Sequence, residues 1–430
     1  MLSWAKYNKL VNYLRSWGQA PFPDKENHWG LCPCYNTPMT YPRCILKRDK
    51  ERPVLGFHPW IFSGAIESVD DSLQPGDLTR VESASGDFLG VGYFNPKSQI
   101  TIRMLSFEDV QIGADFFKEK IRHAISLRKQ FVLSPKTNAC RLINSEGDFL
   151  PGLVVDLYHN ILVVQFLTAG MEKQKDIILP IFEHHFQLHA IYEKGDLKER
   201  EIEGLAKENQ ILAGELLHDK TEIHENGLRF HIHWSTSQKT GFFLDQRDNR
   251  ALIRNISEGR KVLDCFCYGG GFSVAAAAGG AKEVMSIDIS EHATSAAEEN
   301  MQLNFPKTIH VIERKDVFDF LREDIFEPDL IILDPPAFCK NKNQIQQAAR
   351  GYKDINLAAM KKITPGGFLY TASCSSFITP DLFQKIVFGA AKDAKREVRI
   401  FTKTGHSIDH PISIYHPEGE YLKGLLLQVS

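Results

Sequence analysis

Downstream of about residue 260 the chain alternates short apolar runs with helical stretches, and one run, Val262–Phe272 (VLDCFCYGGGF), breaks directly into a glycine turn. A buried strand that turns on small residues into a helix N-terminus lets an α/β sheet approach a small molecule closely. Ser273–Ala278 reads as the start of that helix. The alternation continues to about Val398 and predicts a doubly wound, mostly parallel sheet of Rossmann-like type. SIDIS brings Asp288, ERKDVF brings Asp316, LIILDPPAF brings Asp334, and YTASCSS brings Cys374. Acids therefore fall at successive strand ends, with a thiol near the last.

Gly269-Gly270-Gly271 alone fits any nucleotide-binding α/β domain. Asp288 follows at the separation expected of an acid at the end of the second strand, where a carboxylate suits a ribose diol. Dinucleotide sites share this much. Asp316, placed to accept from an adenine amino group, and Asp334-Pro335-Pro336 lie outside the NAD fingerprint and favour S-adenosylmethionine. The candidate cofactor contacts are Asp264, Tyr268, Gly269, Gly271, Phe272, Asp288, Asp316, Asp334 and Gln246. The two prolines hold the backbone rigid past the strand end. Ala337 and not an aromatic follows them, with Phe338 one later, which weighs against methylation of an exocyclic base nitrogen.

Cys374 decides the chemistry. Carbon 5 of a pyrimidine is a poor nucleophile until a thiolate adds at carbon 6. A structural, buried cysteine is the plain alternative. Cys265, Cys267 and Cys339 are competing thiols, the first two reading as packing beside the glycine turn.

With 430 residues, two or three domains are expected. Residues 1–40 stand apart as an extension, with aromatic and aliphatic residues at helical spacing and then a proline-rich stretch; a Cys32-x-Cys34 pair is too tight for a zinc knuckle. From Tyr41 to Leu105 the pattern is all-β and barrel-like. Residues 115–131 turn helical, CRLINSEGDFLPGLVVDLYHNILVVQFL reads as two or three strands, and KQKDIILPIFEHHF as a helix. EKGDLKEREIEGLAKEN reads as a solvated connection or surface helix. His184, His185 and His189 share that earlier helix with Phe182 and Phe186, so no metal is expected. HENGLRFHIHW predicts a hairpin on its Asn-Gly turn. The longest apolar runs are strand-sized and the start lacks a secretory signal, so a cytoplasmic location and no membrane partner are expected. The net charge of −3 gives nucleic acid no general support, so an RNA surface must be local. Arg43, Lys47, Arg48, Lys50 and Arg52 form such a cluster, and His58 and Trp60 could stack on a base.

From Tyr41 onward the chain resembles the ribosomal RNA large subunit methyltransferase I family. The shared stretches are HPWIFSGAI, GYFNPKSQI, GDFLPGLVVDLY, QKTGFFLDQRDNR, CFCYGGGFSV, GYKDIN, SCSS and DHPISIYHPEGEYLKG. The resemblance implies a PUA-like RNA-binding barrel over 41–112, a small α+β domain over 113–225 and a methyltransferase domain over 226–430. It further implies formation of 5-methylcytosine in 23S ribosomal RNA, with the family's cysteine at Cys374 and its acid at Asp334 as catalytic residues. The chain departs from the family in having Gly269 where Thr is common and Ala337 where some members have Lys. The alternatives are methylation of a guanine nitrogen or uracil carbon 5, or an idle RNA-binding assembly factor. A homodimer is compatible with the chain, whose oligomeric state the sequence leaves open.

Overall fold

The computed structural model describes residues 41–216, 218–234, 239–323 and 326–430. The sequence expectations for residues 1–40, including Cys32 and Cys34, lie outside the described residues.

β1 (Arg43–Leu46), β2 (Trp60–Phe62), β3 (Ile66–Val69), β4 (Leu78–Glu82), β5 (Phe88–Phe94) and β6 (Ile100–Ser106) form one sheet in the order β2-β6-β5-β4-β1-β3. The strand-like HPWIFSGAIESV supplies both edges, because the chain bends at Ser63–Ala65 between β2 and β3. Leu46, Ile61, Val81, Phe94 and Ile102 fill the curved sheet, so the half-barrel has a core of its own.

Helix α1 (Ala114–Phe131) follows, then β7 (Ala139–Asn144), β8 (Leu153–Tyr158), β9 (Ile161–Phe166), helix α2 (Lys175–His185), β10 (Ala190–Lys194) and β11 (Asn209–Gly214). The strands pair in reverse chain order, β11-β10-β9-β8-β7. Alternate residues leave the sheet on opposite faces. Leu157 and Val164 meet Phe117, Ile121 and Phe182 of the two helices. Tyr158 and Val163 meet the hairpin β12 (Lys220–Glu225) and β13 (Leu228–His233) through Ile223 and Phe230. The hairpin turns on Asn226 (φ 52°) and Gly227 (φ 81°), the paired positive φ of a type I′ turn.

The charge-rich EKGDLKEREIEGLAKEN does not behave as a solvated run. Glu193, Arg200 and Glu203 are buried, with Arg200 bonded to Glu193 (3.0 Å) and Glu172 (2.8 Å), and Glu203 to Arg103 (2.7 Å). Glu193 and Arg200 pair within the run itself, while Glu172 comes from a short helix (Ala169–Lys173) and Arg103 from the half-barrel.

The remainder runs through helix α3 (Arg247–Ile256), β14 (Lys261–Cys265), α4 (Gly271–Ala278), β15 (Glu283–Asp288), α5 (Glu291–Asn304), β16 (His310–Arg314) and β17 (Leu330–Leu333). It continues with α6 (Ile345–Lys362), β18 (Gly367–Ser373), α7 (Pro380–Ala394), β19 (Val398–Thr404) and β20 (Lys423–Val429). The seven strands order as β16-β15-β14-β17-β18-β20-β19, with only β20 antiparallel to its neighbours. Leu263, Ile331 and Leu333 face α6 and α7, while Val262, Leu330 and Ile332 face α3, α4 and α5. A sheet buried on both faces explains why its strands read as continuous apolar runs. The strand order reverses about β14, so a crevice opens at the carboxyl ends of β14 and β17.

The segment after β19 locks the parts together. Arg128 forks onto Asp148 (2.6 and 2.7 Å) and reaches the Asp409 carbonyl (2.9 Å), and Asp409 in turn holds Arg247 (2.8 Å). His58 and Trp60 belong to this junction. Trp60 Nε1 donates to Glu146 (2.7 Å) and its ring lies 4.4 Å from that of His416, while His58 meets Glu418 (3.3 Å). Both rings are half-buried and engaged at this junction.

Candidate active site

The acids predicted at strand ends come together along one edge of the sheet. Asp264 lies within β14 just before its last residue, Asp288 closes β15, Asp334 follows β17, and Cys374 follows β18.

Asp264 sits under the glycine turn, buried, with Oδ2 accepting from Ser273 Oγ (2.6 Å) and Oδ1 left without a partner. Burial, with the nearby Asp334 and Asp288 charges and against the Ser273 bond, pushes its carboxyl up to about 7. Above it Phe266 (φ 61°), Tyr268 (φ 46°) and Gly270 (φ 72°) give the turn three left-handed residues. Such backbone is costly for non-glycine residues and persists where the surroundings over-determine it. The Tyr268 amide donates to Asp288 Oδ2 (3.1 Å) and the Ser290 amide to Oδ1 (2.9 Å), while Asn300 holds the Gly269 carbonyl (2.9 Å). Each Asp288 oxygen keeps a free lone pair for a hydroxyl.

Of the three glycines, Gly270 is the one the backbone requires. A Cβ there would lie 2.9 Å from the Ala297 Cβ, in a conformation side chains rarely adopt. Gly270→Ala should cost about 1–2 kcal/mol of stability and weaken cofactor binding. A melting curve equal to wild type would show that the turn relaxes.

Asp316 lies two residues past β16 and caps the short turn Val317–Phe320, its Oδ1 accepting from the Phe318 (2.8 Å) and Asp319 (3.2 Å) amides. Phe272 lies on α4 with its ring against Tyr370 (5.6 Å). Gln246 accepts from Asn249 (2.5 Å) and Tyr370 (3.4 Å) and bonds the Asp334 carboxyl. The unpaired Asp264 oxygen beneath an open glycine turn, with Asp288 one strand away, fits an adenosine-bearing cofactor.

Burial and the neighbouring Asp245 push Asp334 up to about 7, against Lys239, Arg250 and Gln246. Cys374 Sγ lies 3.9 Å from the Pro335 carbonyl. Cys374 is partly exposed, whereas Cys44, Cys140, Cys265, Cys267 and Cys339 are buried. Phe338 turns inward onto Tyr352 (4.6 Å), so the aromatic after Pro335-Pro336 packs against protein.

Sequence reasoning missed Lys239, Asp245, Tyr421 and Lys423. Asp245 is buried and accepts from Lys239 (2.7 Å) and Tyr421 (2.6 Å), and the Lys239 and His410 charges with these two hydrogen bonds hold its carboxyl below the usual carboxylate range despite burial. The only signal was the position of QKTGFFLDQRDNR and GEYLKG within the stretches of family likeness. Arg43, Lys47, Arg48, Lys50 and Arg52 are all exposed on β1 and the turn after it, away from these acids in sequence and domain. Among the described residues no group of three His, Cys, Asp or Glu side chains is placed to hold a metal, and no helix is long and apolar enough to cross a membrane.

A doubly wound sheet with this strand order, a glycine turn after β14 and acids along its carboxyl edge defines an S-adenosylmethionine-dependent methyltransferase, and residues 204–398 match the family model of that description. Residues 44–107 match the model of a PUA-like domain. A proposed SAM-dependent methyltransferase from Streptococcus mutans shares the fold, with TM-score 0.77 at 22% identity over 90% of this chain and 100% of that one. A proposed methyltransferase solved with SAH gives TM-score 0.78 at 22% identity and the same coverage.

The chain belongs to the ribosomal RNA large subunit methyltransferase I family. It is 41% identical to the member from Tolumonas auensis over 89% of this chain and 98% of that protein. Against the Shewanella frigidimarina member it is 42% identical, over 90% and 99%.

Proposed function

We propose that the protein methylates carbon 5 of a cytosine in 23S ribosomal RNA through a transient bond between Cys374 and the base. The observation that carries this reading is a partly exposed thiol at the end of β18, beside Asp334, with the other described cysteines buried. Bound S-adenosylmethionine supplies an electrophilic methyl group. Asp288 and the glycine turn would hold its ribose and backbone, and Asp264 and Asp316 would flank it. The Cys374 thiolate adds to carbon 6 of a flipped cytosine, which makes carbon 5 nucleophilic toward that methyl group. The carbon 5 proton then leaves to water, its bonding pair re-forms the carbon 5–carbon 6 double bond, and the sulfur departs as thiolate. Pushed up to about 7, the Asp334 carboxyl can hold a proton near neutral pH and share it with cytosine N3 as the thiolate adds. The inward packing of Phe338 disfavours the nitrogen alternative, because the aromatic that follows Pro335-Pro336 stacks on Tyr352.

On this reading the enzyme works on ribosomal RNA in the cytoplasm. Bisulfite or mass mapping of 23S RNA from cells lacking the protein should show one 5-methylcytosine gone. An unchanged 5-methylcytosine map with a missing methylguanine or methyluridine would assign the activity to the alternative base.

The exposed cations Arg43, Lys47, Arg48, Lys50 and Arg52 are our candidate phosphate contacts. Neutralising all five should weaken RNA binding and lower its salt slope by about 0.7–0.9 per true contact, with cofactor binding unchanged. A wild-type affinity and slope would move the RNA footprint to the rest of the chain.

A further inference from the structure

Cys374 emerges from β18 where β20 runs antiparallel beside it, with Ser373 directly opposite Lys423. Lys423 is only 5% exposed, and its Nζ donates to the carbonyls of Ser375 (2.6 Å) and Tyr421 (2.8 Å). The ammonium thus braces the peptide on the far side of the thiol. Among the described residues no carboxylate lies within ion-pair reach of it. An ammonium buried without a counter-ion is costly, so a lysine here calls for an anion that forms beside it. The other cation near the thiol, Lys239, is 2.7 Å from Asp245, a carboxylate that acts on Cys374 in the opposite sense.

We propose that Lys423 is the positioning residue and counter-ion of the Cys374 thiolate. It fixes the Cys374–Ser375 turn and offsets the charge on Sγ when the thiol's proton leaves to solvent and the S–H bonding pair stays on sulfur. The inference rests on reading Cys374 as the nucleophile. Burial, Asp334 and Asp245 push the thiol up to about 11, with Lys239 opposing. Burial pulls Lys423 down to about 8, while Cys374 and Glu420 draw it back up. The remaining titratable neighbours are Tyr352, which the Cys374 charge raises, and His406, which Lys423 helps to hold down. At neutral pH the amine therefore carries its proton, and a positive charge on the strand beside Cys374 favours the thiolate over the thiol.

Alkylation of Cys374 by iodoacetamide across pH, on the full-length protein without RNA and mapped by peptide mass spectrometry, reads the thiolate directly. In Lys423→Met the rate near pH 8 should fall at least about tenfold, the equivalent of one pH unit in the thiol midpoint, and methyl transfer should fall with it. Lys423→Gln keeps a donor for Ser375 without the charge and should be equally slow, while Lys423→Arg should recover most of the rate. Melting temperature and cofactor affinity near wild type separate charge from folding. If Lys423→Met does not fold, the Gln and Arg variants carry the comparison. A Lys423→Gln alkylation profile superimposed on wild type overturns the proposal. With Cys374→Ala inactive, that result sinks only the role of Lys423. A Cys374→Ala variant that still methylates RNA ends the covalent reading and the role of Lys423 with it.

Discussion

Replacing Cys374 by alanine is expected to lower methyl transfer to RNA by on the order of 10⁴-fold or more, the scale seen when a covalent nucleophile is removed. Cofactor affinity should stay within about threefold, because the thiol is proposed to serve the base, while the proposed ribose contact Asp288 and the glycine turn lie on and beside β14 and β15. The variant should also fold normally. Cys374 is partly exposed, packs only at the margin of the core, and its hydrogen bond to the Pro335 carbonyl is long (3.9 Å). Single-turnover methyl transfer with calorimetry on the same preparation separates the two effects. A variant with wild-type turnover would remove the covalent step and return the exocyclic nitrogen alternative to first place.

The second large effect is expected at Asp288. Asp288→Ala should weaken S-adenosylmethionine binding by about 2–4 kcal/mol, or roughly 30- to 1,000-fold. Two terms add. The ribose hydroxyls lose a charged acceptor, and the Tyr268 and Ser290 amides lose the oxygens that hold them (3.1 and 2.9 Å). The second term acts on the strained turn itself, so Asp288→Asn, which keeps one acceptor, should fall between wild type and alanine. Unchanged calorimetric affinity in the alanine variant would place the cofactor elsewhere.

The parts of this site that could be read from the chain are those set by local patterns. Asp264, Asp288 and Asp334 were legible because each ends a short apolar run, and the sheet topology forces such ends onto one edge. The hairpin before α3 was legible from Asn226-Gly227, whose paired positive φ few other residues tolerate. The Asp245 cluster was not, since Tyr421 reaches it from 176 residues away. Lys423 looked like an ordinary lysine in GEYLKG, and only its place opposite Ser373 on a neighbouring strand shows that it is buried. The same limit applies to Glu193 and Arg200, which look solvated in a charge run and are paired in the interior. Trp60 gives no local sign of its partners, Glu146 and His416, which come from distant parts of the chain.

The central claim is a covalent bond between Cys374 and a cytosine, and RNA bearing 5-fluorocytosine at the target tests it most directly. Fluorine at carbon 5 cannot leave as a proton does, so the enzyme and base should remain joined once the methyl group has moved. The account predicts a denaturation-stable protein–RNA adduct that needs S-adenosylmethionine, maps to the peptide carrying Cys374, and is lost in Cys374→Ala. Methylation of unmodified RNA with no adduct on the fluorinated RNA, or an adduct at another residue, would contradict it.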